Sequence, residues 1–196
     1  MPADITPPRL VLASTSPRRL ELLGRLGLTP DRLAAPDVDE TPHRAEEPRA
    51  YVLRVARAKA EAVERAPDEV VLAGDTTIAA GRRILGKPAD ADAARAMLRL
   101  LSGRRHHCLS AICVIGPDGR VRTRLSDTIV AFRPLSPAEI DAYLLTNEWV
   151  GKAGAYAIQG RAEAFVRFLH GSHSGVVGLP LTETRALLRA AGLPLA

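Results

Sequence analysis

Hydroxyl and basic side chains crowd the start of the first helical pattern, in "LASTSPRRLELL". Ser16 and Pro17 are typical of a helix start, with serine as N-cap and proline at the first helical position. Arg18 and Arg19 follow, where the helix macrodipole disfavours cations. Two surface arginines are tolerated there, at a cost of about 0.3–1 kcal/mol each. Alternatively, free backbone N–H groups, both guanidinium groups and the hydroxyls of Ser14 and Ser16 form a phosphate site.

Carboxylates occur in two separate segments of the first half of the chain. Asp37, Asp39 and Glu40 lie in "PDVDETP", which by itself is typical of a solvated acidic turn. Asp75 directly follows the apolar run "VVLAG", so we expect its carboxylate to lie close to the core and to need a partner. Because Mg²⁺ is usually held by one or two carboxylates plus substrate phosphate oxygens, one group from each segment would be enough for a metal site.

Lysine is rare in this chain. Of its 27 basic residues only Lys59, Lys87 and Lys152 are lysines, and the others are arginines. A chain with this bias would fill indifferent basic positions with arginine, so each lysine is a candidate for a place that needs a compact ammonium group. Chance is the alternative, and the inference gains weight only where the lysines fall inside motifs.

Other catalytic patterns are incomplete. "GRRILGKP" matches most of the phosphate-binding Walker A motif but ends in Pro88, which offers neither a hydroxyl group for Mg²⁺ nor a backbone N–H. The segment is better interpreted as a turn that presents Lys87. The five histidines lack metal-ligand spacing, and no serine lies in a nucleophile elbow. The remaining basic and acidic groups are those of metal-assisted phosphoanhydride hydrolysis.

Composition narrows the class of protein. The chain has 196 residues, a net charge of +5 and a pI of about 9.8, but only 4% aromatic residues, so stacking surfaces for nucleic acid are poorly supported. Neither a signal peptide nor an apolar stretch long enough to span a membrane is found. Cys108 and Cys113 lie in an apolar run and are expected to be reduced core thiols. We therefore predict a cytoplasmic protein with a small anionic substrate.

Alternating strand and helix patterns, with one long hairpin around "PDGR", predict an α/β fold with a mixed central sheet. Asp90 is the expected N-cap of one helix, and Ser136 with Glu139 forms a capping box at another. The predicted strands are 9–13, 69–80, 106–116, 121–135 and 162–171, and the predicted helices are 16–26, 48–66, 90–103, 136–145 and 179–192.

These segments together resemble the Maf family, nucleoside triphosphate pyrophosphatases once described as septum-formation inhibitors. The resemblance runs nearly end to end through "LASTSPRRLELL", "DVDET", "ARAKA", "GDTTIA", "LGKP", "LSGRRH", "GKAGAYAIQG" and "GSHSGVVGLPL". The form "YAIQG" is similar to the branch of the family that acts on dTTP and UTP. All three lysines fall in matched motifs.

The resemblance implies a single domain over residues 1–196, with a mixed sheet, flanking helices and two lobes around a cleft, similar to inosine triphosphate pyrophosphatases. It implies Asp75 as the proton acceptor, with Glu40, or alternatively Asp39, as the second carboxylate. Further residues match family positions for phosphate binding and catalysis, namely Ser14, Ser16, Arg18, Arg19, Lys59 and Lys87, and Arg18, Thr76 and Gln159 match positions for specificity.

The implied reaction is the hydrolysis of dTTP and UTP, or of modified pyrimidine nucleotides, to the monophosphate and pyrophosphate. Mg²⁺ or Mn²⁺ is the expected cofactor, held by Glu40 and Asp75, and water is expected to attack the α-phosphorus. The expected partner is the nucleoside triphosphate, without nucleic acid or membrane, and a homodimer is left open. The competing hypothesis is a regulator of cell division that binds a nucleotide or a partner without turnover.

Overall fold

A seven-stranded mixed sheet forms the centre of the computed structural model, which describes residues 7–195. Its strands are β1 (Arg9–Ala13), β2 (Arg32–Ala34), β3 (Glu69–Ala80), β4 (Arg83–Leu85), β5 (Arg105–Ile115), β6 (Val121–Phe132) and β7 (Val166–His170). The order is β2–β1–β3–β5–β6–β7, with β4 paired to β3. β1 runs parallel to β2 and β3, and the other pairs are antiparallel. The predicted mixed α/β fold and its hairpin are confirmed.

Strand β3 lies at the centre of the sheet and sets the position of Asp75. Nearly all of its twelve residues are buried, as expected for an apolar run covered on both faces. Its parallel register with β1 ends at the pair Ala13 and Ala73. The chain that follows β1 and the residues just after Ala73 therefore lie at one edge of the parallel pair, where open α/β sheets bind ligands.

Helices cover both faces of the sheet. They are α1 (Pro17–Gly24), α2 (Pro48–Glu61), α3 (Ala91–Leu101), α4 (Pro137–Leu144), α5 (His173–Val177) and α6 (Leu181–Ala190), with 3₁₀ turns at Ala153–Ala155 and Arg161–Phe165. On one face α2 buries Val52, Val55 and Ala56 against the sheet. On the other face α1 and α6 bury Leu22 and Leu188. Among the described residues no helix combines the length and the apolar character needed to cross a membrane.

A further core, rich in aromatic residues, lies around α3, α4 and the far ends of β5 and β6. Edge-to-face contacts join Phe132 to Tyr156 and to Phe165, and Phe165 in turn contacts Tyr143. Such contacts contribute about 0.5–1.5 kcal/mol each beyond the area they bury. Tyr156 also lines the cleft described below, so this core supports one wall of the cleft.

Several predicted boundaries are wrong, and β2, β4 and α5 were not predicted. The first helix ends at Gly24 rather than near residue 26, and α2 ends at Glu61 rather than 66. Proline at position 67 disfavours helical geometry in the residue before it. The strand predicted over 162–171 begins only at Val166, because residues 161–165 form a 3₁₀ turn that buries Ala162 and Phe165, three residues apart.

Candidate active site

A cleft of about 530 Å³ opens at the edge where β1 ends and β3 continues. Five cationic side chains and two carboxylates line it, so its charge favours an anionic ligand. Every residue that the sequence analysis selected for substrate, metal or specificity is among the lining residues, namely Ser14, Ser16, Arg18, Arg19, Glu40, Lys59, Asp75, Thr76, Lys87 and Gln159.

The two arginines at the start of α1 both face this cleft. Arg19 Nε donates to the carbonyl oxygen of Gly178 at 3.0 Å, and Arg19 Nη1 donates to Ser14 Oγ at 3.2 Å. Burial lowers the pKa of both Arg18 and Arg19, with a smaller lowering at Arg19 from the neighbouring Arg18 charge. Guanidinium groups stay charged at neutral pH despite such shifts. Two desolvated cations side by side lose free energy unless an anion binds them.

Hydrogen-bonding capacity at this helix start is left open for a ligand. Ser16 is the N-cap residue, but its side chain makes no capping bond, contrary to the usual role of an N-cap serine. Ser14 Oγ accepts from the backbone N–H of Ser16 at 3.1 Å and from Arg19, which leaves its own O–H free to donate. Arg18 Nε is buried and has no hydrogen-bond partner among the described residues. These donors favour the phosphate site over the alternative of tolerated surface arginines.

Opposite the arginines, Lys59 joins the two predicted carboxylates. Its Nζ lies 2.7 Å from Glu40 Oε1 and 2.8 Å from Asp75 Oδ1. Lys59 and Asp75 are almost fully buried, at 8% and 6% exposure, so the expected partner of Asp75 is found. Lys59 projects from the last turn of α2, where the macrodipole favours a cation. In this structure Lys59 therefore pairs with both carboxylates, whereas its motif led us to expect a contact with phosphate.

The backbone around Glu40 is fixed by side chains of α2. Tyr51 Oη donates to the carbonyl oxygen of Glu40 at 3.0 Å, and Arg54 Nη2 donates to the carbonyl oxygen of Thr41 at 3.0 Å. Asp39 instead accepts from the backbone N–H of Thr41 and is exposed. Of the two carboxylates left open by the sequence, Glu40 lines the cleft and pairs with Lys59, and Asp39 does neither.

The electrostatics of Glu40 follow from this setting. Partial burial acts to raise the pKa of its carboxyl group, but the hydrogen bond and charge of Lys59, with the charges of Lys87 and Arg19, outweigh burial. The pKa of Glu40 is accordingly held below its ordinary value. Glu40 is an anion at neutral pH.

The two carboxylates fit a divalent cation. Each uses one oxygen on Lys59, and among the described residues neither second oxygen has a hydrogen-bond partner. No group of three or more histidine, cysteine, aspartate or glutamate side chains suited to a metal occurs within residues 7–195. Mg²⁺ does not need one, because one or two carboxylates and the phosphate oxygens of a substrate complete its coordination.

The candidate specificity residues Thr76 and Gln159 also line the cleft. Thr76 Oγ1 is hydrogen-bonded to Ser110 Oγ at 3.1 Å, which fixes its side chain on β3. Gln159 is exposed in the segment after the first 3₁₀ turn. Lys87 is also exposed, and the carbonyl oxygen of the preceding Gly86 accepts from the backbone N–H of Gly154 at 3.1 Å. One backbone hydrogen bond thus connects the Lys87 turn to the segment that contains Gln159.

Sequence reasoning missed three contributors to the cleft. Gly178 supplies a carbonyl oxygen to Arg19 although it lies 159 residues away in the chain. Tyr156 lines the cleft and is hydrogen-bonded to buried His106 at 2.9 Å. Lys152, to which no role at the site was assigned from its motif, lines the cleft too, and its Nζ donates to the carbonyl oxygen of Val150. The rarity of lysine was the signal that could have placed Lys152 there.

Comparison with known proteins identifies the family of this chain. The family model described as Maf-like protein matches residues 9–191. A dTTP/UTP pyrophosphatase of Sphingopyxis alaskensis is 69% identical over 188 residues, which are 96% of this chain and 99% of that protein. One of Novosphingobium aromaticivorans is 59% identical, over 95% of this chain and 93% of that protein. A solved HAM1 protein from Coxiella burnetii matches with a TM-score of 0.47 and 17% identity, over 93% of this chain and 99% of that one, a likeness too distant to add to the assignment. The chain belongs to the Maf family.

Proposed function

We propose that this chain hydrolyses dTTP and UTP to the nucleoside monophosphate and pyrophosphate. The observation that carries the proposal is the cleft in which Lys59 joins Glu40 and Asp75 opposite the guanidinium groups of Arg18 and Arg19. Relatives of 59% and 69% identity carry the name dTTP/UTP pyrophosphatase. Cations for a triphosphate and a carboxylate for a water molecule are what this reaction requires.

Asp75 is the proposed proton acceptor. Lys59 holds the Asp75 carboxylate in place through Oδ1, and this carboxylate accepts a proton from the attacking water. The water oxygen bonds to the α-phosphorus, the bond from that phosphorus to the bridging oxygen breaks, and pyrophosphate leaves with the electron pair. A divalent cation held by Glu40 and Asp75 would lower the pKa of bound water and polarise the phosphoryl group.

Pyrophosphate is a highly charged leaving group, so its stabilisation is a large part of the task. We assign that part to Arg18, Arg19 and Lys87, with the Ser14 and Ser16 hydroxyl groups as further donors. Because Arg19 is already fixed by Gly178 and Ser14, it needs little reorganisation when the phosphates bind.

Base selection is assigned to Gln159, with Thr76 and Arg18. Uracil and thymine present acceptor, donor and acceptor groups along one edge, and a glutamine amide matches two of these. The same amide, rotated so that its oxygen and its nitrogen exchange places, would match cytosine. Gln159 therefore discriminates only if its surroundings fix the direction from which it reaches the base.

The other expectations accompany this proposal. A cell-division regulator without turnover is not favoured, since a polyphosphate binder has no need of carboxylates beside its cations. Cys108 and Cys113 are free and buried, and burial raises the pKa of each thiol to about 12, which supports the cytoplasm as the compartment. The single domain over residues 1–196 and the homodimer stay predictions.

The test is a nucleotide panel with separate detection of monophosphate, pyrophosphate and orthophosphate. With Mg²⁺ or Mn²⁺ we expect dTTP and UTP to yield monophosphate and pyrophosphate, and a chelator to stop the reaction. Asp75→Asn should stay folded and lose most of its kcat, because an amide cannot accept the proton. Orthophosphate with a diphosphate product would refute attack at the α-phosphorus, and near-normal kcat in Asp75→Asn would refute the assigned base.

A further inference from the structure

The segment that carries Gln159 has little regular structure of its own. Between α4 and β7 the chain forms only the two short 3₁₀ turns, and Gln159 lies between them. No strand pairing therefore fixes the backbone on either side of this residue. Its position depends on the burial of the neighbouring Ile158 and Ala162 and on individual hydrogen bonds to the surrounding protein.

Two such bonds bracket Gln159. The backbone N–H of Ala157, two residues before it, donates to Tyr143 Oη at 3.1 Å. The backbone N–H of Arg161, two residues after it, donates to Glu148 Oε2 at 2.8 Å. Of these two acceptors the Glu148 carboxylate is the charged one, and charge-assisted hydrogen bonds are about twice as strong as neutral ones.

Glu148 is itself held in a fixed turn after α4. Its backbone N–H donates to Thr146 Oγ1 at 3.2 Å, and that hydroxyl group donates to the carbonyl oxygen of Tyr143 at 2.7 Å. The neighbouring Trp149 is buried and donates through Nε1 to the carbonyl oxygen of Leu144 at 2.9 Å. The carboxylate is thus presented to Arg161 from an anchored part of the chain.

Gly160 is the residue that lets the carboxylate approach. A methyl group at this position would overlap Glu148 Oε2 and lie 2.9 Å from its Cδ. The backbone of Gly160 has φ −113°, which any residue adopts. A side chain at this position would therefore displace the Glu148 carboxylate, whereas the backbone conformation itself does not call for glycine.

We propose that Glu148 is a positioning residue for base selection. By holding the backbone directly after Gln159, it restricts the place from which the Gln159 side chain reaches the base, and hence the hydrogen bonds that its amide can form there. This proposal rests on the function proposed above, in which Gln159 discriminates uracil and thymine from cytosine. Glu148 does not line the cleft and is not expected to touch the nucleotide.

The test compares kcat/KM for dTTP and CTP in Glu148→Ala. We expect the preference for dTTP to fall about tenfold, the effect of one hydrogen bond to a charged group, while kcat for dTTP stays within about twofold. Glu148→Gln keeps an acceptor oxygen and should restore most of the preference. Arg161→Ala is the matched control, because it removes the exposed ion pair of Arg161 Nε with Glu148 Oε1 at 3.9 Å but keeps the backbone N–H that donates to Glu148.

Gly160 gives an independent arm of the same test. Gly160→Ala should reproduce the lost preference in the wild type and add little in the Glu148→Ala background, because the overlap is then gone. Hydrogen exchange at the Arg161 amide should accelerate in Glu148→Ala and stay slow in Arg161→Ala. This measurement needs no substrate, and Gly160→Ala, which displaces the Glu148 carboxylate, supplies it if Glu148→Ala does not fold.

The outcomes separate this proposal from the one it rests on. If Gln159→Ala abolishes the dTTP preference and Glu148→Ala keeps it, Glu148 is not a positioning residue. An equal loss on dTTP and CTP in Glu148→Ala, or a Gln variant no better than Ala, would overturn the proposal likewise. If Gln159→Ala itself leaves the preference unchanged, base reading by Gln159 is wrong and the role of Glu148 falls with it.

Discussion

Replacing Lys59 by methionine removes the ammonium group between two carboxylates and keeps most of the stem volume. Loss of one partner from a buried pair costs about 3–5 kcal/mol. The Asp75 side chain is 9% exposed but that of Glu40 is 42% exposed, so water compensates part of the loss at Glu40. We therefore expect Lys59→Met to lose about 2–3 kcal/mol of unfolding free energy. For a chain of this size that corresponds to a Tm lowered by about 5–10 °C.

Lys87→Met is the matched control. Lys87 lines the same cleft, but it is exposed and forms no ion pair within 4.0 Å among the described residues. Both variants should lose activity, since both remove a cation from the triphosphate site. Only Lys59→Met should lose substantial stability. Thermal unfolding without nucleotide or metal, followed at neutral pH, measures the difference directly.

Acid gives a second signature of the same pair. Because Lys59 contributes to holding the pKa of Glu40 below 4.5, the stability from this contact is fully present above about pH 4.5 and is lost as the pH falls through the lowered pKa. The Tm difference between wild type and Lys59→Met should be constant above pH 5. Below pH 4 it should narrow by about the part of the stabilisation that comes from the contact between Lys59 and Glu40. Equal Tm values for the two methionine variants, or a gap that widens in acid, would refute the assigned pairing.

Two further predictions concern Gln159 in the cleft and the buried His106. Gln159→Ala should lower kcat/KM for dTTP and UTP by an amount equivalent to about 1–3 kcal/mol of transition-state free energy, with kcat/KM for CTP little changed. The preference for dTTP and UTP over CTP should narrow accordingly. An equal loss of kcat/KM on every nucleotide would mean that Gln159 has a structural role. Burial, with a smaller effect of the His107 charge, lowers the pKa of His106 to about 4 from 6.5, so unfolding free energy should fall by about 3 kcal/mol between pH 6.5 and pH 4. Urea unfolding across that range should show a flatter dependence in His106→Gln, and an unchanged slope would contradict the prediction.

Local signals in the sequence predicted the elements well. Asp90 accepts from the backbone N–H of Ala93, and Ser136 with Glu139 forms the capping box, because each device lies within three residues of chain. The apolar run of β3 is found with its predicted bounds, Glu69–Ala80. The stretch at 161–165 was assigned to a strand because its burial of two residues three apart depends on the aromatic core, which a local pattern does not reveal.

Contacts across the site could not be predicted in the same way. Lys59 was assigned to phosphate because its sequence motif says nothing of the two carboxylates that it meets only after folding. The hydrogen bond from Arg19 to the Gly178 carbonyl oxygen joins residues that lie 159 positions apart. Because every residue has a backbone carbonyl oxygen, the residue type at position 178 does not indicate such a bond. Ser16 was expected to cap α1 with its side chain, but its hydroxyl group makes no capping hydrogen bond. Such a bond depends on the side-chain rotamer, which the sequence does not specify.

The scarcity of lysine proved informative about the site. All three lysines line the same cleft, although they come from α2, the turn after β4 and the segment after α4. Lys59 shows the physical reason most directly, since its single nitrogen lies within 2.8 Å of oxygens on two different carboxylates. A planar guanidinium group would need a wider gap between them and would spread its charge over three nitrogens. The chain's general preference for arginine thus stops where a compact charge has to fit between fixed oxygens.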